Sequence, residues 1–79
     1  MRIVRSESEE QMTIGEAIKK ARKAKGYTLA ELEAKSGVSR QSIARWEKGI
    51  VFPNIMPLIS VADVLEVTLD ELVGRTVAR

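Results

Sequence analysis

Between Gly37 and Gly49 the chain reads Gly-Val-Ser-Arg-Gln-Ser-Ile-Ala-Arg-Trp-Glu-Lys-Gly. Arg40, Gln41 and Arg45 are the side chains here with recognition chemistry to offer. A guanidinium can pair bidentately with a guanine edge, and a carboxamide with adenine. Ser42 and Lys48 stand beside them. Spacing decides where these groups point. Ser39 is a helix-opening residue, because its hydroxyl can accept from a free backbone N–H one turn on. Gly49 is a helix-closing one. Between them Ile43 and Trp46 are three apart and share a face, which leaves the Arg and Gln side chains on the other. A short helix with one apolar edge and an outer face of Arg and Gln suits a DNA major groove.

The rest of the composition excludes more than it offers. The chain has 79 residues, the size of one small domain. Folding at that size buries only about 60% of the unfolded chain's surface, too little for a deep active site. There is no cysteine and no histidine. Disulfides and thiolate metal sites are excluded, and so are the usual zinc ligand and the usual general base. No catalytic constellation can be assembled, so an enzyme is the weakest reading, and neither a metal nor a cofactor is expected. No apolar run approaches the roughly 20 residues of a membrane span. The start, with Glu7, Glu9 and Glu10, lacks the apolar core of a signal peptide. The expectation is a soluble, cytoplasmic protein.

Charge is unevenly placed. The net charge is only +2, but residues 17–48 carry nine cations against three anions, and the segments on either side are each acidic. A local positive potential attracts phosphates whatever the total charge. Lys19, Lys20 and Lys23 lie in this segment, as general electrostatics more than specific contacts, and Lys35 reads as merely solvated.

The elements that position these groups are helices. Residues 1–12 show no sustained periodicity and read as a weakly ordered or partner-dependent arm. Thr13-Ile14-Gly15-Glu16 is a capping box, followed by Ile14, Ala17, Ile18, Ala21 and Ala24 at helical spacing up to Gly26. Thr28-Leu29-Ala30-Glu31 is a second box, opening a helix that turns Leu29 and Leu32 inward and ends at Gly37; Val38 plugs the corner. Pro53 bars a helix after Ile50-Val51-Phe52. Asn54 then reads as an N-cap for a helix with Ile55, Leu58, Ile59, Ala62 and Leu65 on one stripe. Thr68-Leu69-Asp70-Glu71 is a third box, for a helix closed by Gly74. The expectation is an all-α, five-helix domain over 13–74, with an arm before it and a tail over 75–79.

These residues resemble a known family. Counting from Leu29 as the first of twenty positions, Gly37 is ninth, and Leu32, Val38, Ile43 and Trp46 are fourth, tenth, fifteenth and eighteenth. From Ile14 to Gly74 the chain resembles the Cro/repressor-type (XRE, lambda-repressor-like) helix-turn-helix family. The resemblance implies a helix-turn-helix at helices 2 and 3, with base reading by Arg40, Gln41, Ser42 and Arg45. It implies backbone contacts at Thr28, Ser39 and Lys48, with Lys19 and Lys23 adding electrostatics. A helix N-terminus is a ready anion site, which is the ground for Thr28. It also implies a partly buried ion pair of Arg22 with Glu47. The sequence departs from the family pattern at Leu29, often glutamine, and at Glu33, usually alanine, where a long charged chain must swing outward or widen the helix crossing. It departs again at Ser36, usually apolar, and at Glu66, where the fourth helix normally ends in glycine.

The function this implies is a sequence-specific, double-stranded DNA-binding transcriptional regulator. A single recognition helix reads few base pairs, so a homodimer on a palindromic operator is expected. Two surfaces are candidates for it: Ile50, Val51 and Phe52, an apolar run in a loop, and Val64, Val67 and Leu69. Regulation would follow by blocking RNA polymerase or touching it. The competing reading is a protein-interaction module on the same scaffold, such as an antitoxin that binds a toxin.

Overall fold

The computed structural model describes residues 13–73. The expected arm over 1–12, the closing Gly74 and the tail over 75–79 lie outside the described residues. Five helices fill the span: α1 (Ile14–Lys25), α2 (Leu29–Ser36), α3 (Arg40–Lys48), α4 (Ile55–Leu65) and α5 (Leu69–Val73). No strand occurs among the described residues. No helix among them is long and apolar enough to cross a membrane.

The three capping boxes set three of the helix starts. In each, the threonine hydroxyl accepts from the glutamate N–H and the glutamate carboxylate accepts from the threonine N–H, at 2.8–3.1 Å. Two otherwise orphaned donors are thereby satisfied at each of these three starts. Asn54 holds the N-cap position of α4 in an extended conformation, but its side chain makes no cap hydrogen bond. Helices α1, α2 and α3 end at glycines with φ of 77–79°, and α4 ends at Glu66 with φ of 61°. The left-handed residue matters most at Gly37, where the chain must reverse between α2 and α3 within three residues. Its N–H returns to the Glu33 carbonyl at 2.9 Å.

Helix α1 packs against α3 and α5, and α2 packs against α3 and α4. Leu32, Val38, Ile43 and Trp46 are all buried, together with Ile18, Leu58, Val61, Ala62, Leu65 and Leu72. Ser36 fits the half-buried corner because its hydroxyl donates to the Leu32 carbonyl at 2.7 Å and accepts from the Val38 N–H at 3.2 Å. A polar group at an inward position is tolerated when it is bonded in this way.

Three expectations need correction. Ala24 and Ile55 continue the apolar stripes of α1 and α4 in sequence, yet both are exposed. Ala24 falls in the last turn of α1 and Ile55 is the first residue of α4, so periodicity runs past the point where the core ends. Lys35 is more than solvated: its Nζ stands 5.3 Å from the centroid of the Tyr27 ring, a cation–π contact.

Candidate nucleic-acid interface

Helix α3 divides cleanly into an inner and an outer face. Ile43 is fully buried and Trp46 is 4% exposed. Burying each such side chain contributes roughly 1.5–3 kcal/mol, so this edge anchors the helix. Arg40, Gln41, Arg45 and Lys48 are exposed, and Ser42 is half-buried. The structure therefore puts the four long polar side chains on the solvent side of a helix that cannot roll without pulling Ile43 and Trp46 out of the core.

Two contacts with α1 fix the far end of α3. Arg22 is buried and donates Nε to Glu47 Oε2 at 2.8 Å and Nη2 to Glu47 Oε1 at 2.9 Å. Its Nη1 donates to the Tyr27 carbonyl at 3.0 Å. The guanidinium thus ties the end of α1, the α1–α2 turn and the last turn of α3 together. The Glu47 hydrogen bond, opposed in part by burial, holds the Arg22 pKa above its ordinary value. The second contact is at Gly15. A Cβ there would lie 1.9 Å from the Trp46 carbonyl oxygen and 3.0 Å from the Glu47 Cα. Only a hydrogen side chain lets the first turn of α1 lie on the last turn of α3. Gly15, Ile18 and Arg22 are the buried residues of α1. At i, i+3 and i+7 they form one stripe against its neighbours.

Sequence reasoning missed Gly15. The available signal was a glycine inside a helix, which costs about 1 kcal/mol relative to alanine and so points to a packing reason. It also missed the partner of Glu33. Of the two outcomes open to it, that side chain takes the outward one, and it accepts from Arg40 Nε at 2.8 Å. Arg40 enters the outer face already tethered.

The helix starts are also occupied from within. The Ser39 hydroxyl accepts from the Ser42 N–H and lies 3.1 Å from the Ser42 hydroxyl. At α2 the Thr28 and Glu31 N–H groups are both used in the capping box, and the Glu31 carboxylate sits at that helix start. The N–H groups of Leu29 and Ala30 have no intrahelical acceptor, as first-turn donors never do. Lys19 and Lys23 are exposed along α1.

The candidate docking surfaces differ. Ile50, Val51 and Phe52 are exposed, Phe52 to 83%, and Ile55 and Met56 extend the apolar patch onto the first turn of α4. Val64, Val67 and Leu69 are half-buried and packed against the core.

A helix-turn-helix family model matches residues 18–72. Over 64 residues the chain is 38% identical to RstR, a cryptic phage CTXphi transcriptional repressor from Vibrio cholerae, covering 81% of this chain and 57% of that protein. It is 39% identical over 63 residues to the transcriptional regulator SinR of Bacillus subtilis, covering 78% of this chain and 57% of SinR. The chain thus spans under two thirds of the length of these relatives. A crystal structure of SinR in complex with DNA matches with a TM-score of 0.73 and 39% identity, over 76% of this chain and 97% of that one. The P22 c2 repressor in complex with a synthetic operator matches with a TM-score of 0.74 and 31% identity, over 78% and 94%. The family match across most of the chain and the shared five-helix fold agree, and the chain belongs to the XRE-type helix-turn-helix family.

Proposed function

We propose that the chain is a cytoplasmic, sequence-specific double-stranded DNA-binding regulator of transcription that reads the major groove with α3. The observation that carries this is the outer face of α3: Arg40, Gln41, Arg45 and Lys48 are exposed while Ile43 and Trp46 are locked inside. Arg40, Gln41 and Arg45 are the base readers, with Ser42 at the groove wall. Lys48, Lys19 and Lys23 meet phosphates. The hydroxyls of Thr28 and Ser39 are committed to their caps. These two sites therefore meet phosphate through first-turn N–H groups, which point at an anion in any helix. SinR and the P22 c2 repressor, solved with DNA, support the reading.

A homodimer completes it. Non-specific binding by one such unit is weak, about 10⁻⁴–10⁻⁶ M at physiological salt. Two recognition helices about 34–36 Å apart match successive turns of the major groove. The exposed patch of Ile50, Val51, Phe52, Ile55 and Met56 is the favoured contact, because Val64, Val67 and Leu69 are already engaged with the core.

Random-site selection on duplex DNA, followed by sizing of the complex, tests both parts. A palindromic motif bound by two chains is the expected result. Gln41→Ala or Arg45→Ala should lose about 1–3 kcal/mol on the selected site and little on random DNA. Equal loss on both would refute base reading by that residue. Lys19→Ala should weaken binding to all sequences and lower the salt slope by about one.

A further inference from the structure

Arg40 and Glu33 are each placed badly for their own helix. Arg40 is the first residue of α3, where the helix dipole is positive, and no acidic residue shares that first turn. Glu33 opens the last turn of α2, toward the negative end of that helix. Helix stability gains from neither. The two side chains meet across the turn instead, Arg40 Nε donating to Glu33 Oε1 at 2.8 Å, with the side chains 60% and 37% exposed. A pair that open to water stabilises the fold little. What it does accomplish is geometric. A guanidinium has five N–H donors in a rigid fork, and the carboxylate engages only the one on Nε. The two terminal nitrogens keep theirs.

We infer that Glu33 is a positioning residue for Arg40: it grips the guanidinium at Nε and presents the terminal Nη1/Nη2 fork to a guanine edge. This rests on the reading of α3 as the DNA-facing helix. Two consequences follow from the charge. An untethered arginine at the start of a recognition helix can swing to the nearest phosphate, and the tether opposes that swing. The carboxylate also repels phosphates, so it lowers affinity for DNA of any sequence while sharpening the choice of base. Glu33 sets specificity without touching DNA.

The experiment is random-site selection with the whole chain and with four variants: Arg40→Ala, Glu33→Ala, Glu33→Gln and Gln41→Ala. Thermal unfolding of each confirms that it is folded. Arg40→Ala should flatten one guanine column of the motif, and Glu33→Ala should flatten the same column. The guanine preference there should fall by about 5- to 150-fold, the range of one lost bidentate pair. Columns read by Gln41 should stay sharp in both. Glu33→Ala should bind random DNA more tightly than the unaltered chain, since a repelling charge is gone. Glu33→Gln keeps an acceptor oxygen and should retain part of the preference. Two results overturn the inference and leave the DNA reading intact. In one, Arg40→Ala flattens a column that Glu33→Ala leaves sharp. In the other, Arg40→Ala lowers affinity for every sequence and flattens nothing, while Gln41→Ala still flattens its own column. If the unaltered chain selects no motif, the DNA reading itself fails and this inference falls with it.

Discussion

Helix α3 is held by two arginine–glutamate pairs, one at each end, and they do different jobs with the same chemistry. At the end of the helix, Arg22 and Glu47 are 11% and 7% exposed at their side chains and joined by two hydrogen bonds, with a third from Arg22 to a backbone carbonyl. At the start, Arg40 and Glu33 are open to water and joined by one. Burial decides what each can contribute. In the interior a lone charge has no water to fall back on, so each partner of the inner pair depends on the other. At the surface either partner of the outer pair is readily solvated alone, and on the proposed reading what the pair supplies is control of direction. The helix is locked where it meets α1 and, on that reading, aimed where it meets DNA.

The largest expected effect breaks the inner pair. Glu47→Ala leaves the Arg22 guanidinium buried with one remaining acceptor. Removing one partner of a buried pair costs about 3–5 kcal/mol. For a domain this small each kcal/mol lowers the melting temperature by about 4–8 °C. Thermal unfolding should therefore show the variant molten or nearly so at temperatures where the parent is folded. A loss within the range of a surface pair would make the two pairs equivalent and remove the contrast.

Next comes the seam that the inner pair closes. Gly15→Ala gains about 1 kcal/mol of helix propensity but forces α1 away from the Trp46 carbonyl. Overpacking of this kind costs about 1–3 kcal/mol, and the contact is with backbone, which cannot rotate aside. Net destabilisation is expected, with a loss of motif sharpness as α3 tilts. A variant as stable as the parent would show that α3 gives way there freely, and that Arg22–Glu47 sets its angle alone.

What the sequence reveals of this arrangement follows from how local each signal is. Capping boxes and closing glycines involve residues a few positions apart, so the starts at Thr13, Thr28 and Thr68 and the stops at Gly26, Gly37 and Gly49 are legible in order. The inward positions Leu32, Val38, Ile43 and Trp46 are legible because a helix has a fixed period. Gly15 against Trp46 and Glu33 with Arg40 depend on how helices cross. A glycine next to a cap and a glutamate in a helix have ordinary local explanations that hide the contact. The end of a stripe is hidden for the same reason: nothing in the spacing of Ile55 says that the core does not reach it.

The outer pair should barely register in stability. A double-mutant cycle of Glu33→Ala and Arg40→Ala, read by denaturant unfolding, should give a coupling of about 0–1 kcal/mol, as exposed pairs do. It should shrink further in high salt. A coupling near that of the inner pair would mean that Glu33 holds the fold together, and a change in base preference could then be blamed on a disturbed helix.

The smallest effect belongs to a third pair, Lys25 and Glu66, which is also open to water and extends the comparison beyond α3. Lys25 donates to Glu66, and the same hydrogen bond lowers the Glu66 pKa and raises that of Lys25. The lowered carboxylate contributes stability above its ordinary range, and that contribution is lost as pH falls through the folded value. The raised amine contributes stability below its ordinary range, and loses it as pH rises through its folded value. Both contributions are small because water screens the pair. Glu66 also carries the left-handed φ of 61° that ends α4, a conformation glycine adopts without strain. Glu66→Gly therefore removes a weak pair and a strained residue together. Its melting temperature near pH 7 should equal or slightly exceed the parent's, and should fall less between pH 5 and pH 3. Lys25→Ala separates the two causes, since it removes the pair and keeps the strain. It should share the flatter acid limb without the gain near pH 7. Equal acid limbs in all three proteins would show that this pair carries no stability at all, and would place it below the Glu33–Arg40 pair it is compared with.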